Sequence, residues 1–473
     1  MSLSRRIFLQ QAAATSLAFG GLAARGLAAT NASNVEQAYF NQTNPYGDLI
    51  PDPAGLFDLP AGFEYRVLST VGEEMSDGLL AAGDFDGMGC FAGPDGRLTL
   101  VRNHELMPQE IDASAFGADA SRLDRIDRSR IHDWTEAGLP HLGGTSHLII
   151  DPQTLTVERS FMSLAGTANN CAGGVTPWGS WVTCEETELT AGPSAGVDHG
   201  YCFEVPASAT GLIEPVPLRA MGRFRHEAIA VDPASGAVYQ TEDKRGTALF
   251  YRYLPDHPGE LARGGRLQAL AVRGRPGIDL RNLSASADNL RPGEWVEVEW
   301  IDMEEVDAPN ADLAERGHAA GAARFTRGEG LWWGQGECYF TCTDGGPAGI
   351  GQIWRYQPSP REGQPGEHAQ PGRLQLFVES GDDRIMEYCD NLCVAPWGDL
   401  IVAEDGPRDQ YIRGVTPSGE VYTIGRNAFT GPDGEKSEIC GPCFSPDGST
   451  LFFNIQRHPG RTFAVRGPWH ARG

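Results

Sequence analysis

The sequence predicts an all-β fold, because a hairpin pattern recurs along the chain and turn-forming residues are frequent. The 473 residues include 60 Gly and 32 Pro, and a chain this rich in turn residues favours short strands over long helices. Six stretches each combine an extended run, a turn rich in Gly, Pro and Asp, and a second extended run. Six copies of one hairpin indicate a radial repeat, and we therefore expect a six-bladed β-propeller with inserted loops.

The hairpin is clearest between Asn170 and Glu186, where the thiol of Cys171 precedes a Pro-Trp-Gly turn and two carboxylates follow it. The other copies occupy residues 87–105, 227–243, 329–344, 391–405 and 441–456. A tight antiparallel turn returns both outer ends to the same side of the sheet. Acids at these ends are therefore expected to gather at one mouth of the propeller channel, where they would meet something charged.

The spacing between the copies is irregular, roughly 50 to 100 residues against about 40 to 50 for compact propeller blades. We interpret the excess as inserted loops, for example the polar stretch at residues 263–310. Because propellers often fold as one long unit, residues 30–473 are expected to form a single catalytic domain.

The amino terminus is typical of an export signal. Ser4-Arg5-Arg6-Ile7-Phe8-Leu9 is followed by an apolar, Ala-rich run that ends at Ala29. Twin arginines before such a run indicate a twin-arginine signal peptide, and the run is too short for a spanning helix. Residues 1–29 are therefore predicted to engage the twin-arginine translocase and to be removed. The folded chain would then be periplasmic or extracellular.

The net charge of −25 argues against nucleic acid as a binding partner, because phosphate backbones attract basic surfaces. Acidity alone increases solubility, but several of the carboxylates could also be metal ligands whose charge the bound cations neutralise. No later segment of the sequence has the length of a stable membrane span, and we expect a monomer.

Most of the ten cysteines fall within predicted strands, where a free thiol behaves as a small hydrophobe. The pair Cys389 and Cys393 is four residues apart, and strand residues at that spacing lie about 13 Å apart, too far for one disulfide or one metal ion. Cys171 differs, since it opens a hairpin beside two glycines and among carboxylates. It is the thiol that we consider as a metal ligand.

These motifs carry a family resemblance. The blocks NNCAGGVTPWGSWVTCEE, RHEAIAVDP with TED after it, GGPAGIGQIWRY, DNLCVAPWGDLIVAEDG and FSPDGSTLFFNIQ resemble those of the PhoX-type alkaline phosphatases, as does the leader. The resemblance extends from residue 34 to residue 469. It implies a calcium-dependent phosphomonoesterase, built as a six-bladed propeller, that acts on small phosphorylated substrates. It also implies a centre of ferric ions (Fe3+) and calcium ions (Ca2+) with a cysteine thiolate among the iron ligands.

The residue types agree with this implication, since thiolate and carboxylates suit ferric iron and calcium takes about six to eight oxygens. The resemblance implies iron on Cys171, Glu186, Glu242 and Glu404. It implies calcium on Glu105, Asn170, Glu185, Glu227, Glu329 and Asn391, with the division between the two metals open. The reaction that the resemblance implies is hydrolysis of phosphate monoesters, in which metal ions stabilise charge on the phosphoryl oxygens.

A phosphoryl group also binds guanidinium and ammonium groups. Lys244 and Arg245 directly follow Glu242 and Asp243, so they are candidate catalytic cations, with Arg384 as a further candidate. Each of the three could equally be an ordinary surface cation.

Two other functions remain open. A calcium-dependent propeller that hydrolyses lactones or other esters also gathers carboxylates and asparagines at its channel mouth. A non-catalytic, calcium-stabilised propeller would carry the same acids and act as a binding module. Cys171 discriminates between these alternatives and the phosphatase, because calcium alone does not need a thiol ligand.

Overall fold

The computed structural model describes residues 38–432 and 434–470, and the predicted leader, residues 1–29, lies outside this part of the chain. Strands dominate the described residues, which contain one α-helix, α1 (Leu313–Ala319). No helix within the described ranges combines the length and the apolar character that crossing a bilayer requires. The prediction of an all-β fold is confirmed.

The strands, in chain order, are β1 (Leu49–Ile50), β2 (Phe57–Pro60), β3 (Glu64–Thr70), β4 (Phe85–Ala92), β5 (Leu98–His104), β6 (Gly143–Asp151), β7 (Thr156–Thr167), β8 (Asn170–Val175), β9 (Ser180–Glu185), β10 (Cys202–Pro206), β11 (His226–Val231), β12 (Val238–Glu242), β13 (Phe250–Pro255), β14 (Gly265–Val272), β15 (Trp295–Asp302), β16 (Gly328–Gly334), β17 (Glu337–Cys342), β18 (Gln352–Gln357), β19 (Arg373–Glu379), β20 (Cys389–Val394), β21 (Leu400–Glu404), β22 (Tyr411–Val415), β23 (Val421–Asn427), β24 (Ile439–Phe444), β25 (Thr450–Ile455) and β26 (Arg461–Arg466). Short 3-10 turns lie between them at Pro94–Gly96, Ile111–Ala113, Leu123–Arg125, Arg128–Arg130, Arg219–Met221, Leu261–Arg263 and Glu367–Ala369.

Within the described residues the strands form five sheets in a propeller-like arrangement. Two sheets have four strands, in the orders β4-β5-β6-β7 and β24-β25-β26-β3, and one has three, β10-β9-β8. A six-stranded sheet has the order β1-β2-β23-β22-β21-β20, and a nine-stranded sheet has the order β11-β12-β13-β14-β15-β19-β18-β17-β16. The antiparallel pair of β3 and β26 joins the two ends of the described chain in one sheet.

The stretch at residues 263–310, which the sequence predicts as an inserted loop, contains the strands β14 and β15 instead. β14 pairs with β13, and β15 lies between β14 and β19, so that two groups of four strands become one nine-stranded sheet. β15 buries only Val298, and its other side chains are exposed or half-buried. Its sequence nevertheless alternates apolar and acidic residues over Val296-Glu297-Val298-Glu299-Trp300. This pattern is typical of a strand, so β15 could have been recognised from the sequence.

Six strands meet at the centre of the described structure, and each contacts the next in the order β4, β8, β11, β16, β20 and β24, with β24 returning to β4. We call them the inner strands. They are the first strands of the six predicted hairpins. Part of the apolar core lies between neighbouring sheets, where for example the rings of Phe57 in β2 and Phe453 in β25 lie with centroids 4.6 Å apart. The central axis is therefore left to small and polar residues.

Small residues close the axis directly beyond the start of the inner strands. The cavity there is only about 20 Å³, and its lining includes Gly87, Ala172, Ala228, Gly330, Asn391 and Pro442. A Cβ added to Gly87 would lie 2.5 Å from the Cα of Ala172, and one added to Gly330 would lie 2.7 Å from the Cα of Asn391. Glycine thus permits the close approach of neighbouring strands, and the channel is blocked at this depth.

Candidate metal centre

All six hairpins begin with the same β-bulge. A residue at the start of each inner strand pairs with the end of the following strand, and the register then shifts before the pairing resumes. A bulge leaves a residue unpaired and re-aims its side chain. The residue directly after the paired one is, in chain order, Asp86, Cys171, Glu227, Glu329, Asp390 and Gly441. Five of the six hairpins therefore carry an acid or a thiol at this position.

A second row of acids consists of four residues that follow strands paired with the inner strands and a fifth that precedes an inner strand. Glu105, Glu186, Asp243 and Asp405 directly follow β5, β9, β12 and β21, and Glu438 directly precedes β24. We call the thiol and the nine carboxyl groups of the two rows the central cluster: Cys171, Asp86, Glu105, Glu186, Glu227, Asp243, Glu329, Asp390, Asp405 and Glu438.

Two triplets within the central cluster are close enough to share a cation. Sγ of Cys171 and carboxylate oxygens of Glu186 and Glu227 all lie within 4.8 Å of one another. The same limit holds for carboxylate oxygens of Glu227, Glu329 and Asp390. Because Glu227 belongs to both triplets, they form one continuous group of possible ligands.

Side-chain amides link the two rows. Nδ2 of Asn169 donates to Oε1 of Glu105 and to Oε2 of Glu186, each at 3.2 Å. Nε2 of Gln456 donates to Oε2 of Glu105 at 2.8 Å and lies 3.4 Å from Oδ2 of Asp86. The amide donors hold these acids near one another in spite of their like charges.

Burial and mutual repulsion raise the pKa of the clustered acids. Burial, followed by the charges of Glu329 and Glu186, raises the pKa of Glu227 well above its usual range. Burial and neighbouring carboxylates have the same effect on the pKa of Asp86, Glu186, Glu329, Asp390 and Glu438. They raise the pKa of Asp405 to about 6, and burial together with Glu227 and Glu186 raises the pKa of the Cys171 thiol. Positive charge bound among these groups would reverse such shifts.

Three arginines border the central cluster. Arg225 contacts Glu186, and Arg327 lies 2.5 Å from Glu329 and 3.1 Å from Asp243. At the rim, Arg457 lies 3.0 Å from Asp84, outside the cluster. Three guanidinium groups cannot balance nine carboxylates, and a buried charge is stable only when another charge or a metal ion compensates it.

The residues present fit metal ions. Oδ1 of Asp86 is buried and has no hydrogen-bond donor in the described part of the chain, as expected for an oxygen that faces a cation. Carboxylate oxygens are the ligands that calcium prefers, and a thiolate with carboxylates suits ferric iron. Glu105, Asp405 and Glu438 are partly exposed, so the central cluster opens to solvent on their side.

Of the predicted metal ligands, the structure brings Cys171, Glu105, Glu186, Glu227 and Glu329 into the central cluster. Their roles as ligands stay predictions. The remaining five predicted ligands, which are Asn170, Glu185, Glu242, Asn391 and Glu404, have other neighbours.

Glu185, Glu242 and Glu404 lie apart from the central cluster, because adjacent residues of a strand face opposite sides. Each is the last residue of its strand and is buried. Their carboxylates accept hydrogen bonds from His199 Nδ1 at 2.6 Å for Glu185, the Tyr251 hydroxyl at 3.0 Å for Glu242 and Arg413 Nε at 2.8 Å for Glu404. Burial raises the pKa of Glu242 and of Glu404 to about 7. The structure does not bring these three acids together with the thiol.

The two asparagines are held by neighbouring groups. Oδ1 of Asn170 accepts from the Thr167 hydroxyl at 2.6 Å, and its Nδ2 donates to the Thr183 hydroxyl at 3.0 Å. Oδ1 of Asn391 accepts from the backbone N–H of Gly441 at 2.7 Å, and its Nδ2 lies 3.3 Å from Oδ1 of the adjacent Asp390. Asn391 therefore borders the central cluster, whereas Asn170 is engaged by side chains of β7 and β9.

The predicted catalytic cations form ion pairs elsewhere. Nζ of Lys244 lies 3.1 Å from Glu315, Nη1 of Arg245 lies 2.6 Å from Asp344, and the guanidinium of Arg384 forms a two-point contact with Asp382. Arg384 also lines a cavity of about 930 Å³ together with Arg408 and Lys436. None of the ion pairs found for these three residues in the described structure involves the central cluster.

Sequence reasoning missed five acids of the central cluster: Asp86, Asp243, Asp390, Asp405 and Glu438. Four of them lie at the edges of the hairpin copies, and Glu438 lies three residues before the last copy. Asp86 and Asp390 directly precede two of the copies, while Asp243 and Asp405 directly follow Glu242 and Glu404. A choice between adjacent acids requires the strand register, which a single sequence does not give.

The bordering arginines do have a sequence pattern. Arg225-His226-Glu227 and Arg327-Gly328-Glu329 share the spacing Arg-x-Glu at the start of two hairpins. Each arginine directly precedes its inner strand, and its guanidinium contacts the central cluster, at Glu186 for Arg225 and at Glu329 and Asp243 for Arg327. The pattern could have replaced Lys244 and Arg245 as the basis for choosing cations.

Comparison with curated protein sequences gives no match. Among solved structures, the chain is similar to a gluconolactonase from Xanthomonas campestris, with a TM-score of 0.40 and 13% identity, covering 90% of this chain and 99% of that one. It is also similar to the calcium-binding protein regucalcin from Agrobacterium tumefaciens, with a TM-score of 0.40 and 12% identity, covering 85% and 95%. Likenesses this distant carry no argument about activity.

The family comparison is more informative. The model of the family described as alkaline phosphatase PhoX matches residues 44–460, which is nearly the whole described chain and includes all of the central cluster. The family resemblance that the quoted sequence blocks predict is thereby confirmed. The chain belongs to the PhoX alkaline phosphatase family.

Proposed function

We propose that this protein hydrolyses phosphate monoesters at a mixed iron and calcium centre formed by the central cluster. The observation that carries the proposal is the convergence of one thiol and nine carboxyl groups, bordered by Arg225 and Arg327, at the start of the six inner strands. Membership of a family of alkaline phosphatases supports the same reaction.

The chemistry of the donors suggests how the metals divide. Cys171, Glu186 and Glu227 form the triplet that contains sulfur, and they would hold Fe3+. Glu227, Glu329 and Asp390 form a triplet of oxygens alone and would hold Ca2+. The remaining carboxylates of the central cluster supply further oxygens for calcium. Bound cations would supply Lewis-acid stabilisation of the negative charge on the phosphoryl oxygens.

The chain's own cations would orient the substrate. Arg225 and Arg327 contact acids of both rows, and a guanidinium group donates two parallel hydrogen bonds to a phosphoryl group. Both arginines are only partly buried, so they can contact a ligand that approaches from solvent. The closed axis beneath the central cluster leaves the solvent side as the direction of entry.

The wider architecture of the proposal follows from the sequence and the strand order. We infer a six-bladed propeller in which each inner strand begins one blade and β3 completes the last one. Residues 1–29 would act as a twin-arginine signal peptide, and residues 30–473 would form one catalytic domain. The enzyme would act as a periplasmic or extracellular monomer.

Substrate comparison tests the proposal. Enzyme loaded with Fe3+ and Ca2+ is offered p-nitrophenyl phosphate, bis(p-nitrophenyl) phosphate and a sugar lactone, before and after treatment with a calcium chelator. The proposal predicts hydrolysis of the monoester in preference to the diester and the lactone, loss of activity with the chelator, and recovery on addition of Ca2+. Hydrolysis of the lactone without the monoester would support the lactonase instead. Thermal stabilisation by Ca2+ without any hydrolysis would support a non-catalytic propeller.

A further inference from the structure

A second group of possible metal ligands lies outside the central cluster. Oδ2 of Asp133 lies 3.3 Å from Nε2 of His141 and 3.1 Å from Nε2 of His199. The ligand atoms of all three residues lie within 4.8 Å of one another. The side chains of both histidines are 0% exposed and that of Asp133 is 5% exposed.

The spacing of these atoms matches a tetrahedral zinc site. Zinc binds imidazole nitrogen and carboxylate oxygen at about 2.0 to 2.2 Å, so two ligand atoms of a tetrahedral site lie roughly 3.3 Å apart. The two contacts of Asp133, at 3.1 and 3.3 Å, are close to that separation. The backbone carbonyl oxygen of Ser194 lies 3.1 Å from Nε2 of His141 and is a candidate for the fourth ligand.

The opposite nitrogen of His199 is oriented as in a metal-binding histidine. Nδ1 of His199 lies 2.6 Å from Oε1 of Glu185, and a ligating histidine almost always donates its other N–H to a carboxylate or carbonyl group. Glu185 is itself fixed by the backbone N–H groups of Ala168 and Gly200, at 2.9 and 2.8 Å. The arrangement leaves Nε2 of His199 facing Asp133 and His141.

Charge balance also favours a divalent cation. Asp133 and Glu185 are two buried carboxylates, and a proton on both nitrogens of His199 would neutralise only one of them. A divalent cation with neutral imidazole ligands balances both carboxylates, as buried charge requires.

We propose that Asp133, His141 and His199 bind one Zn2+ ion, with Glu185 orienting His199. The ligands come from two segments that are distant in the sequence, residues 133–141 and the loop that ends at His199. The ion fastens this loop, which begins directly after Glu186 of the central cluster. The site is structural, and it is independent of the proposed phosphatase activity.

Metal uptake by the whole protein tests the site. Metal-free protein is titrated with Zn2+ in the presence of excess Ca2+, and bound zinc is counted by elemental analysis after gel filtration. The wild-type chain and the variant Cys171→Ala should both retain one tightly bound Zn2+, while His141→Gln should lose it. The matched control is His147→Gln, since His147 is equally buried and bonds to the carbonyl of Pro206 at 3.2 Å. This control should keep the ion. Glu185→Gln should weaken zinc binding about 10-fold to 100-fold.

X-ray absorption at the zinc edge tests the proposed zinc site in the wild-type protein, without any substitution. The proposal predicts a first shell of nitrogen and oxygen with imidazole scattering and without sulfur. Zinc bound to Cys171 would instead show a sulfur at about 2.3 Å. Sulfur in the first shell, equal zinc uptake by His141→Gln, or no tightly bound zinc in Cys171→Ala would each overturn the proposal. If Cys171→Ala binds no zinc tightly, a doubly protonated His199 would instead link the carboxylates of Asp133 and Glu185.

Discussion

Glu185 and Glu186 are neighbours in the chain, yet their carboxylates contact different parts of the structure. Glu185 is bonded by His199 and by backbone N–H groups. Glu186 contacts Arg225, accepts from Asn169 and lies within 4.8 Å of the thiol of Cys171. One residue therefore stabilises the fold, and the next one belongs to the central cluster.

The pair predicts opposite effects for the same substitution. Glu186→Gln should lower kcat/KM by at least about 100-fold. Removing a metal ligand should reduce activity at least as much as removing a residue that only orients a ligand. The variant should unfold in urea at nearly the wild-type concentration. Steady-state hydrolysis of p-nitrophenyl phosphate, together with circular dichroism, measures both effects.

Glu185→Gln is the matched variant. It should lower the free energy of unfolding by about 2 kcal/mol, because it weakens the buried hydrogen bonds that the carboxylate accepts from His199 and from backbone N–H groups. Fully metal-loaded protein should keep a rate near that of the wild type. If Glu185→Gln abolished turnover and Glu186→Gln did not, the assignment of the two carboxylates would be reversed.

Arg327 contacts both Glu329 and Asp243, and we expect it to orient the phosphoryl group. Arg327→Ala should lower kcat/KM by about 100-fold to 1000-fold, the range found when a donor to a developing charge is removed. Arg327→Lys should recover only part of this loss, because an ammonium group lacks the planar fork. The control is Arg273→Ala, since Arg273 pairs with Glu297 on the surface at 3.2 Å. Similar rates for Arg327→Ala and the control would contradict the role of Arg327.

The repulsion within the central cluster predicts a crossover in stability. Asp390→Asn removes one buried negative charge and keeps the side-chain shape. In the presence of a chelator, the variant should melt about 1 to 3 °C above the wild type, a shift that corresponds to roughly 1 kcal/mol. In excess Ca2+ the variant should melt below the wild type, because it lacks a charged carboxylate oxygen that would bind the cation.

The control for this crossover is Asp288→Asn, because the side chain of Asp288 is 88% exposed. Scanning calorimetry of the three proteins with and without Ca2+ provides the comparison. A variant Asp390→Asn that melts below the wild type under both conditions would mean that Asp390 is an ordinary structural acid.

His147 predicts part of the acid sensitivity of the fold. Burial lowers the pKa of His147 from 6.5 to about 4. Below pH 6.5 the unfolded chain therefore takes up a proton at His147, whereas the folded chain does not. The stability that the folded protein gains from a neutral His147 is complete above pH 6.5 and is lost as the pH falls toward 4. Between pH 7.5 and pH 5 the variant His147→Phe should lose about 2 kcal/mol less stability than the wild type.

Phenylalanine preserves the stacking of this side chain on Phe161, whose ring centroid lies 5.1 Å away. The substitution removes the hydrogen bond to Pro206 at every pH, which shifts the whole stability curve without changing its slope. Urea unfolding at several pH values gives the two curves. Parallel curves for the two proteins would show that His147 does not titrate between its folded and unfolded states.

The hairpins and the family could be predicted from the sequence because their patterns are local. The run from Asn170 to Glu186 contains the strand, the turn and the returning strand within a few residues. Cys171 stands out because it lies beside glycines at the start of that run. The all-β fold and the family were confirmed on this basis, whereas the number of blades remains part of our proposal.

The remaining part of the site depends on register, which a single sequence does not contain. The bulge after Cys389 brings Asp390 into the triplet with Glu227 and Glu329, and no residue type marks the position of that bulge. β15 is a different case, because Val296-Glu297-Val298-Glu299-Trp300 alternates apolar and acidic residues, and such a pattern indicates a strand. The pairing of β15 with β14 and β19, like the bulge, is a property of the folded chain.

Anomalous diffraction at the iron absorption edge, from crystals of protein purified with its native metals, is the most direct measurement. The account predicts an iron peak within bonding distance of Sγ of Cys171, with carboxylate oxygens of Glu186 and Glu227 around it. It also predicts calcium density beside Glu329 and Asp390. A map without an iron peak among these residues, or with iron bound at a site away from Cys171, would contradict it.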